Sequence, residues 1–362
     1  MSTSKRNRSL DTLRGVAILA VLAVHTNQAV SSGIRQVDTL LGFGRFGVQL
    51  FFLVSAFTMC YMWHERAGES ERLRKFYIRR VLRIAPMFWL AIPTYLLLYG
   101  SGTSYWSPQG ISALDIALTA SFLHGWWPPS INAIVPGGWS IAVEMMFYLL
   151  FPFVILHLSR PASFLAAAMA VYAANKVVLQ PWLMAGFAAR LPAGSEAILN
   201  NFLSLNPLNQ FPVLLVGCHL FHVFDRPAAQ AALQAGLGVL AWPAVAGALW
   251  LLDVADLSWG LVSSTSALYL MAFLVLRRRL GWKPLETLGR YSYGVYLVEF
   301  AALLAVGKVG WDRGMLSFGG AFALTLGVSL VLAYGLHLLV ERPSSALARR
   351  WTSTPAPRAV TA

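Results

Sequence analysis

The chain has 362 residues, of which 57% are hydrophobic and only 12% charged, with a mean hydropathy of +0.61. Soluble domains carry about twice that share of charge, so the composition excludes a soluble globular protein and places the chain in lipid. The formal net charge of +13 does not mark a nucleic-acid binder, because the Lys and Arg residues cluster at the ends of apolar runs.

Runs of about 17 or more mostly apolar residues are candidate membrane helices, and the first covers residues 11–30. No signal-peptide cleavage pattern precedes it, so it reads as retained. Arg14 and His25 lie on it eleven residues apart, which at about 100° per residue brings them within about 20° on one helical face and about 16 Å apart along the axis. An ionisable side chain costs several kcal/mol in hydrocarbon unless it faces a bundle interior or a wet cavity, so this pair marks a functional site.

The second span covers 44–63 and the third, marginal in length, 84–99. Arg80 and Arg83 precede the third span three residues apart, hence on one helical face. The long connection from Gly100 to Gly138 contains Trp106, Trp126, Trp127, Pro128, Pro129 and Pro136, a composition suited to a rigid structure at the headgroup level. Within it, Ile111 to Leu123 is apolar but short and interrupted by Asp115, and is read as interfacial or re-entrant. Counting it as a span would carry Arg277, Arg278, Arg279 and Lys283 to the outside.

The fourth span, 139–158, brings Glu144 into its first turns behind Trp139 and Ser140, at the outer end and at the depth of His25. Further spans follow at 162–180, 208–224, 231–252, 257–276, 291–308 and 317–340, which makes an all-α integral membrane protein of about ten helices. With the amino terminus inside, 22 of the 28 Lys and Arg residues fall on the cytoplasmic side, and both termini are expected there. Residues 1–345 read as one membrane domain, without internal repeats, and 346–362 as a short disordered cytoplasmic tail. Cys60 and Cys218 lie in apolar runs without metal-ligand spacing, so neither a disulfide nor a metal site is expected.

Six motifs in order resemble the acyltransferase-3 family of integral membrane acyltransferases. They are Leu10-Asp11-Thr12-Leu13-Arg14-Gly15 with His25, Phe46 to Phe57, Phe76 to Pro86, Gly138 to Tyr148, Leu288 to Leu297, and Glu341-Arg342-Pro343. The resemblance covers essentially the whole chain. It implies a multi-pass enzyme of the bacterial cytoplasmic membrane, without an appended soluble domain. It also implies transfer of an acyl group, usually acetyl, from cytoplasmic acyl-CoA, a donor substrate rather than a resident cofactor, to a hydroxyl of a glycan or another acceptor. The chain departs from the family pattern at Ala56, where glycine is usual after the serine, and at Glu299, where a histidine commonly follows the tyrosine-leucine motif and where a glutamate is still able to bind a proton or orient a donor.

Each candidate residue has a functional and a bland reading. His25 fits a general base for the acceptor hydroxyl, a covalent acyl carrier, or a hydrogen-bonded structural histidine. Glu144 fits a carboxylate that orients His25 or one that caps a helix start with Ser140 nearby. By the resemblance, Arg80 and Arg83 grip coenzyme A phosphates; anionic lipid headgroups are the alternative, and Arg74, Lys75 and Arg79 stay with that reading. Arg14 either lines the thioester's path or pairs with Asp11. Tyr293, Tyr296 and Trp139, with Ser140, contact substrate or pack the interior. A transporter or flippase using Arg14, His25 and Glu144 as a proton or substrate site is the competing function, against which stands the lack of duplicated halves.

Overall fold

The computed structural model describes residues 7–188, 190–191, 195–224, 226–251 and 259–353, and its regular elements among them are all helical. In chain order the α-helices are α1 (Arg8–Ala29), α2 (Arg35–Gly42), α3 (Gly47–Glu65), α4 (Arg72–Tyr99), α5 (Ala113–Ala120), α6 (Trp139–His157), α7 (Pro161–Ala174), α8 (Gln180–Ala188), α9 (Glu196–Leu205) and α10 (Pro207–Phe224). They continue with α11 (Ala228–Leu251), α12 (Trp259–Arg277), α13 (Lys283–Gly307), α14 (Met315–Leu336) and α15 (Arg342–Thr352). Eight described segments are long and apolar enough to cross a membrane, several of them combining two consecutive helices. The two other expected spans correspond to α12, whose apolar part Leu261–Arg277 is shorter, and to α13, whose 25 residues extend about 37 Å but carry several charges. The chain is an all-α integral membrane protein.

Local chemistry accounts for the helix limits. The Asn7 side chain accepts a hydrogen bond from the Ser9 amide and starts α1. Ser112 and Asp115 form a reciprocal capping box that starts α5. That helix has eight residues, about 12 Å, so the apolar stretch around it cannot cross the bilayer. The third span is longer than the apolar run suggests, because α4 is helical from Arg72 through its arginine-rich start and continues through Pro86 and Pro93. Arg and Lys are good helix formers, and interior prolines are tolerated where neighbouring helices satisfy the freed carbonyls.

The tail departs from expectation. Residues 346 to 352, read above as disordered, belong to α15, whose Ala348 and Thr352 are buried four residues apart on one face. Arg79 Nε donates to Thr352 Oγ1 at 3.2 Å and joins α15 to α4. Residues 354–362 lie outside the described residues.

Two close approaches set the register of the core. A Cβ on Gly15 would meet the Leu285 carbonyl oxygen, and one on Gly289 the Asp11 carbonyl oxygen, so α1 and α13 touch backbone to backbone. Arg8 Nε donates to Glu286 Oε1 at 3.0 Å at the same end. The two helices run parallel, since the contact at Asp11 and Leu285 to Gly289 is followed by one between His25 and Glu299. Helices α3 and α10 meet similarly at Gly217, where a Cβ would lie 2.6 Å from the Leu53 carbonyl oxygen and 2.8 Å from the Ala56 methyl. The alanine that replaces the family's usual glycine is thus accommodated by a glycine opposite it.

Candidate functional site

Helix α3 lines three cavities with successive turns, from Gln49 through Ser55 to Met62, a distance of about 20 Å. At the end where α1 begins, a basic vestibule of about 220 Å³ is lined by Arg66, Glu69, Arg72, Arg79, Arg80 and Arg83 together with Thr58, Met62, Trp63 and Phe76. A central chamber of about 80 Å³ shares Thr58, Arg80 and Arg83 with the vestibule. Beyond it lies a cavity of about 710 Å³, rich in amide side chains, that shares Val48 and Tyr296 with the chamber. The shared residues make the three spaces consecutive along the bundle.

The vestibule is held by its own ion pair and cation–π contact. Arg79 donates through both terminal nitrogens to the Glu69 carboxylate, and this guanidinium holds the Glu69 carboxyl below the usual carboxylate range. The Arg72 guanidinium stacks 3.8 Å above the Trp63 ring. Arg79, read above as a lipid contact, lines this cavity together with Arg80 and Arg83.

In the central chamber Arg14 donates to Asp11 at 3.2 Å and to Thr58 at 2.7 Å while lining the space, so its pairing and its exposure to the cavity coexist. Glu144 accepts from the Ser55 hydroxyl, and from Tyr148 at 2.5 Å. The Arg80 guanidinium lies 5.3 Å from the Tyr148 ring. Ser140 Oγ and Tyr296 OH are 3.0 Å apart, and both donate to the Gly137 carbonyl. Tyr293 donates to the Ile84 carbonyl at 2.9 Å.

His25 and Trp139 line the third cavity. Nδ1 of His25 lies 2.9 Å from Oε1 of Glu299, a carboxylate with 0% exposure, and the ring rests 4.5 Å from that of Phe300. No hydrogen bond holds Nε2 among the described residues. The expected pairing of His25 with Glu144 is therefore corrected: the carboxylate against His25 is Glu299, and Glu144 sits in the chamber with Arg14. The reason is the preceding loop. Ile131, Ile134 and Val135 are buried, so the chain enters the bundle before α6 starts, and five residues into that helix the carboxylate is deeper than the headgroup level.

Two kinds of residue escaped the sequence reading, and for a third only the partner was missed: Glu299 stood out as a motif departure able to bind a proton or orient a donor, but its contact with His25 was not foreseen. Gln49, Asn209 and Gln210 are polar residues in apolar helices and line the third cavity; their burial in hydrocarbon was the available signal. Gln49 Nε2 donates to Gln210 Oε1 at 3.2 Å. Arg66 and Arg72 follow the second span like ordinary topology-setting residues, and nothing local distinguishes them.

The family profile described as "Acyltransferase domain" matches residues 7–334. The chain belongs to the acyltransferase-3 family. It is similar to the peptidoglycan O-acetyltransferase OatA of Listeria monocytogenes, with 27% identity over 158 residues, 40% of this chain and 23% of that protein. The chain thus matches about a quarter of the length of that relative. It is also 28% identical to the acyltransferase MdmB of Streptomyces mycarofaciens, over 94% of this chain and 92% of the other. No solved structure matches the chain. Residues 7–334 thus form the family's acyltransferase domain, embedded in the membrane by several helices.

Proposed function

We propose that the protein transfers an acyl group, acetyl by default, from acyl-CoA to a hydroxyl of a glycan or similarly hydroxylated acceptor. The observation that carries this reading is the His25–Glu299 pair at the cavity that follows the vestibule and central chamber. Five arginines against one carboxylate line the vestibule, a charge ratio suited to the several phosphates of coenzyme A, whose oxygens match guanidinium forks. The central chamber then receives the pantetheine arm, and Glu144 serves as counter-charge to Arg14, Arg80 and Arg83.

In this reading Glu299 accepts Nδ1–H of His25, which leaves the Nε2 lone pair as a base. The acceptor O–H gives its proton to Nε2 while its oxygen attacks the thioester carbonyl. The C–S bond then breaks, the coenzyme A thiolate leaves, and the imidazolium returns the proton to sulfur. Glu299 stabilises the transient imidazolium as the buried carboxylate does in hydrolytic triads. The basic vestibule faces the cytoplasm, where the donor is made, in accord with the positive-inside rule.

Purified protein incubated with labelled acetyl-CoA and a panel of glycans, followed by mass measurement of products, tests the reading. Acetylated product is expected with the native chain and is lost with His25→Ala. Transfer that survives His25→Ala at the native rate overturns the mechanism.

A further inference from the structure

The third cavity contains no carboxylate among its described lining residues, and its two cation-forming side chains are His25, already paired with Glu299, and Arg45. Arg45 lies on the 3-10 turn Phe43–Phe46, which is pressed against α1. A Cβ on Gly44 would meet the Ala20 carbonyl oxygen, and one on Gly47 would lie 2.8 Å from the Val21 side chain. This clamp holds Arg45 near the half of α1 that carries His25. Among the described residues Arg45 makes no ion pair, and its guanidinium rests 4.9 Å from the Phe46 ring.

A second feature points to a ligand. Gln49 Oε1 and Asn132 Oδ1 have no hydrogen-bond partner, on side chains whose residues are only 5% and 9% exposed, and both residues line this cavity. Buried acceptors without donors are costly in hydrocarbon, and the donors they lack are those that substrate hydroxyls supply. Trp106 and Trp139 contribute apolar faces to the same wall.

Resting on the acyl-transfer reading, we infer that Arg45 is a specificity residue selecting acceptors that carry an anionic group, phosphate or carboxylate, beside the hydroxyls read by Gln49 and Asn132. An exposed cation with no counter-ion among the described residues, at a cavity whose described lining holds no carboxylate, favours an anion and disfavours an acceptor amine.

The test measures binding to the full chain in nanodiscs with coenzyme A saturating, so that the vestibule arginines are occupied. The probes are methyl glucoside, methyl glucuronide and glucose 1-phosphate. The two anionic probes are expected to bind about tenfold more tightly than the neutral one, and the stronger of them identifies the source of the charge. Arg45→Gln reduces the preference to less than about twofold, Arg45→Lys retains most of it, and Arg45→Glu reverses it in favour of the neutral methyl glucoside, by the charge rule that sets the native order. Retained coenzyme A binding shows that each variant is folded. Equal binding of the three probes by the native protein, or a preference that Arg45→Gln leaves intact, overturns the inference. Labelled acetyl-CoA turnover in the same nanodiscs reads the parent proposal separately: turnover indifferent to His25→Ala sinks acyl transfer and leaves an observed anion preference standing.

Discussion

His25 and Glu299 meet at 2.9 Å, further along two parallel helices whose glycines meet nearer their N-termini. His25 lies ten residues beyond Gly15, and Glu299 ten beyond Gly289. Equal offsets of about 15 Å from one backbone contact carry the imidazole and the carboxylate to the same depth. Burial leaves Glu299 Oε2 without any partner among the described residues, so the pair with His25 is its principal polar contact.

Replacing Glu299 by Gln keeps the shape and removes the charge. If the carboxylate stabilises the imidazolium, kcat for acetyl transfer falls about 10²-fold or more, while KM for acetyl-CoA changes by less than about twofold. Steady-state assays with labelled acetyl-CoA read both quantities. A normal kcat would assign Glu299 a structural role only.

Gly289→Ala places a methyl on the Asp11 carbonyl and forces α1 away from α13. The expected loss of stability is about 1–3 kcal/mol, and a displacement of about 1 Å at the site costs about 10²-fold in kcat. Gly307, which has nothing within 4 Å of its Cβ position on the same helix, is the matched control. Thermal unfolding in detergent should separate the two variants, and equal midpoints would show that the close approach sets no register.

Arg80→Ala and Arg83→Ala are expected to raise KM for acetyl-CoA about tenfold or more, the worth of one charge-assisted hydrogen bond to phosphate. Lysine at either position should restore only part of the affinity, because an ammonium lacks the planar fork. A truncated donor without the nucleotide phosphates should bind the native and variant proteins alike. If Arg80→Ala and Arg83→Ala weaken this short donor as much as acetyl-CoA, the vestibule does not hold the phosphates.

The Glu69–Arg79 pair predicts a pH response at the vestibule. Because Arg79 holds the Glu69 carboxyl below its ordinary range, the folded protein binds this proton less tightly than the unfolded chain. The stabilisation is complete above the ordinary carboxylate range and is lost as pH falls below about 4. Partial exposure limits it to about 1 kcal/mol or less. Melting temperature followed from about pH 6 to 3 should fall more steeply for the native protein than for Glu69→Gln; parallel curves would show that the pair contributes nothing.

Hydrophobic runs, charge placement and motif order were enough to establish a helical membrane protein of the acyltransferase-3 family and to single out Arg14, His25, Arg80, Arg83 and Glu144. These are properties of one segment at a time, set by period, length and residue type. The partner of His25 is a property of two segments. Helix periodicity gives the face on which a side chain lies but not the height at which one helix meets another. That height was decided by the glycine contacts of α1 with α13 and by the buried loop before α6, which lowered Glu144 to the level of Arg14 and left Glu299 against the imidazole. The same holds for the amide-lined cavity, whose polar residues come from separate helices and loops that only packing brings together.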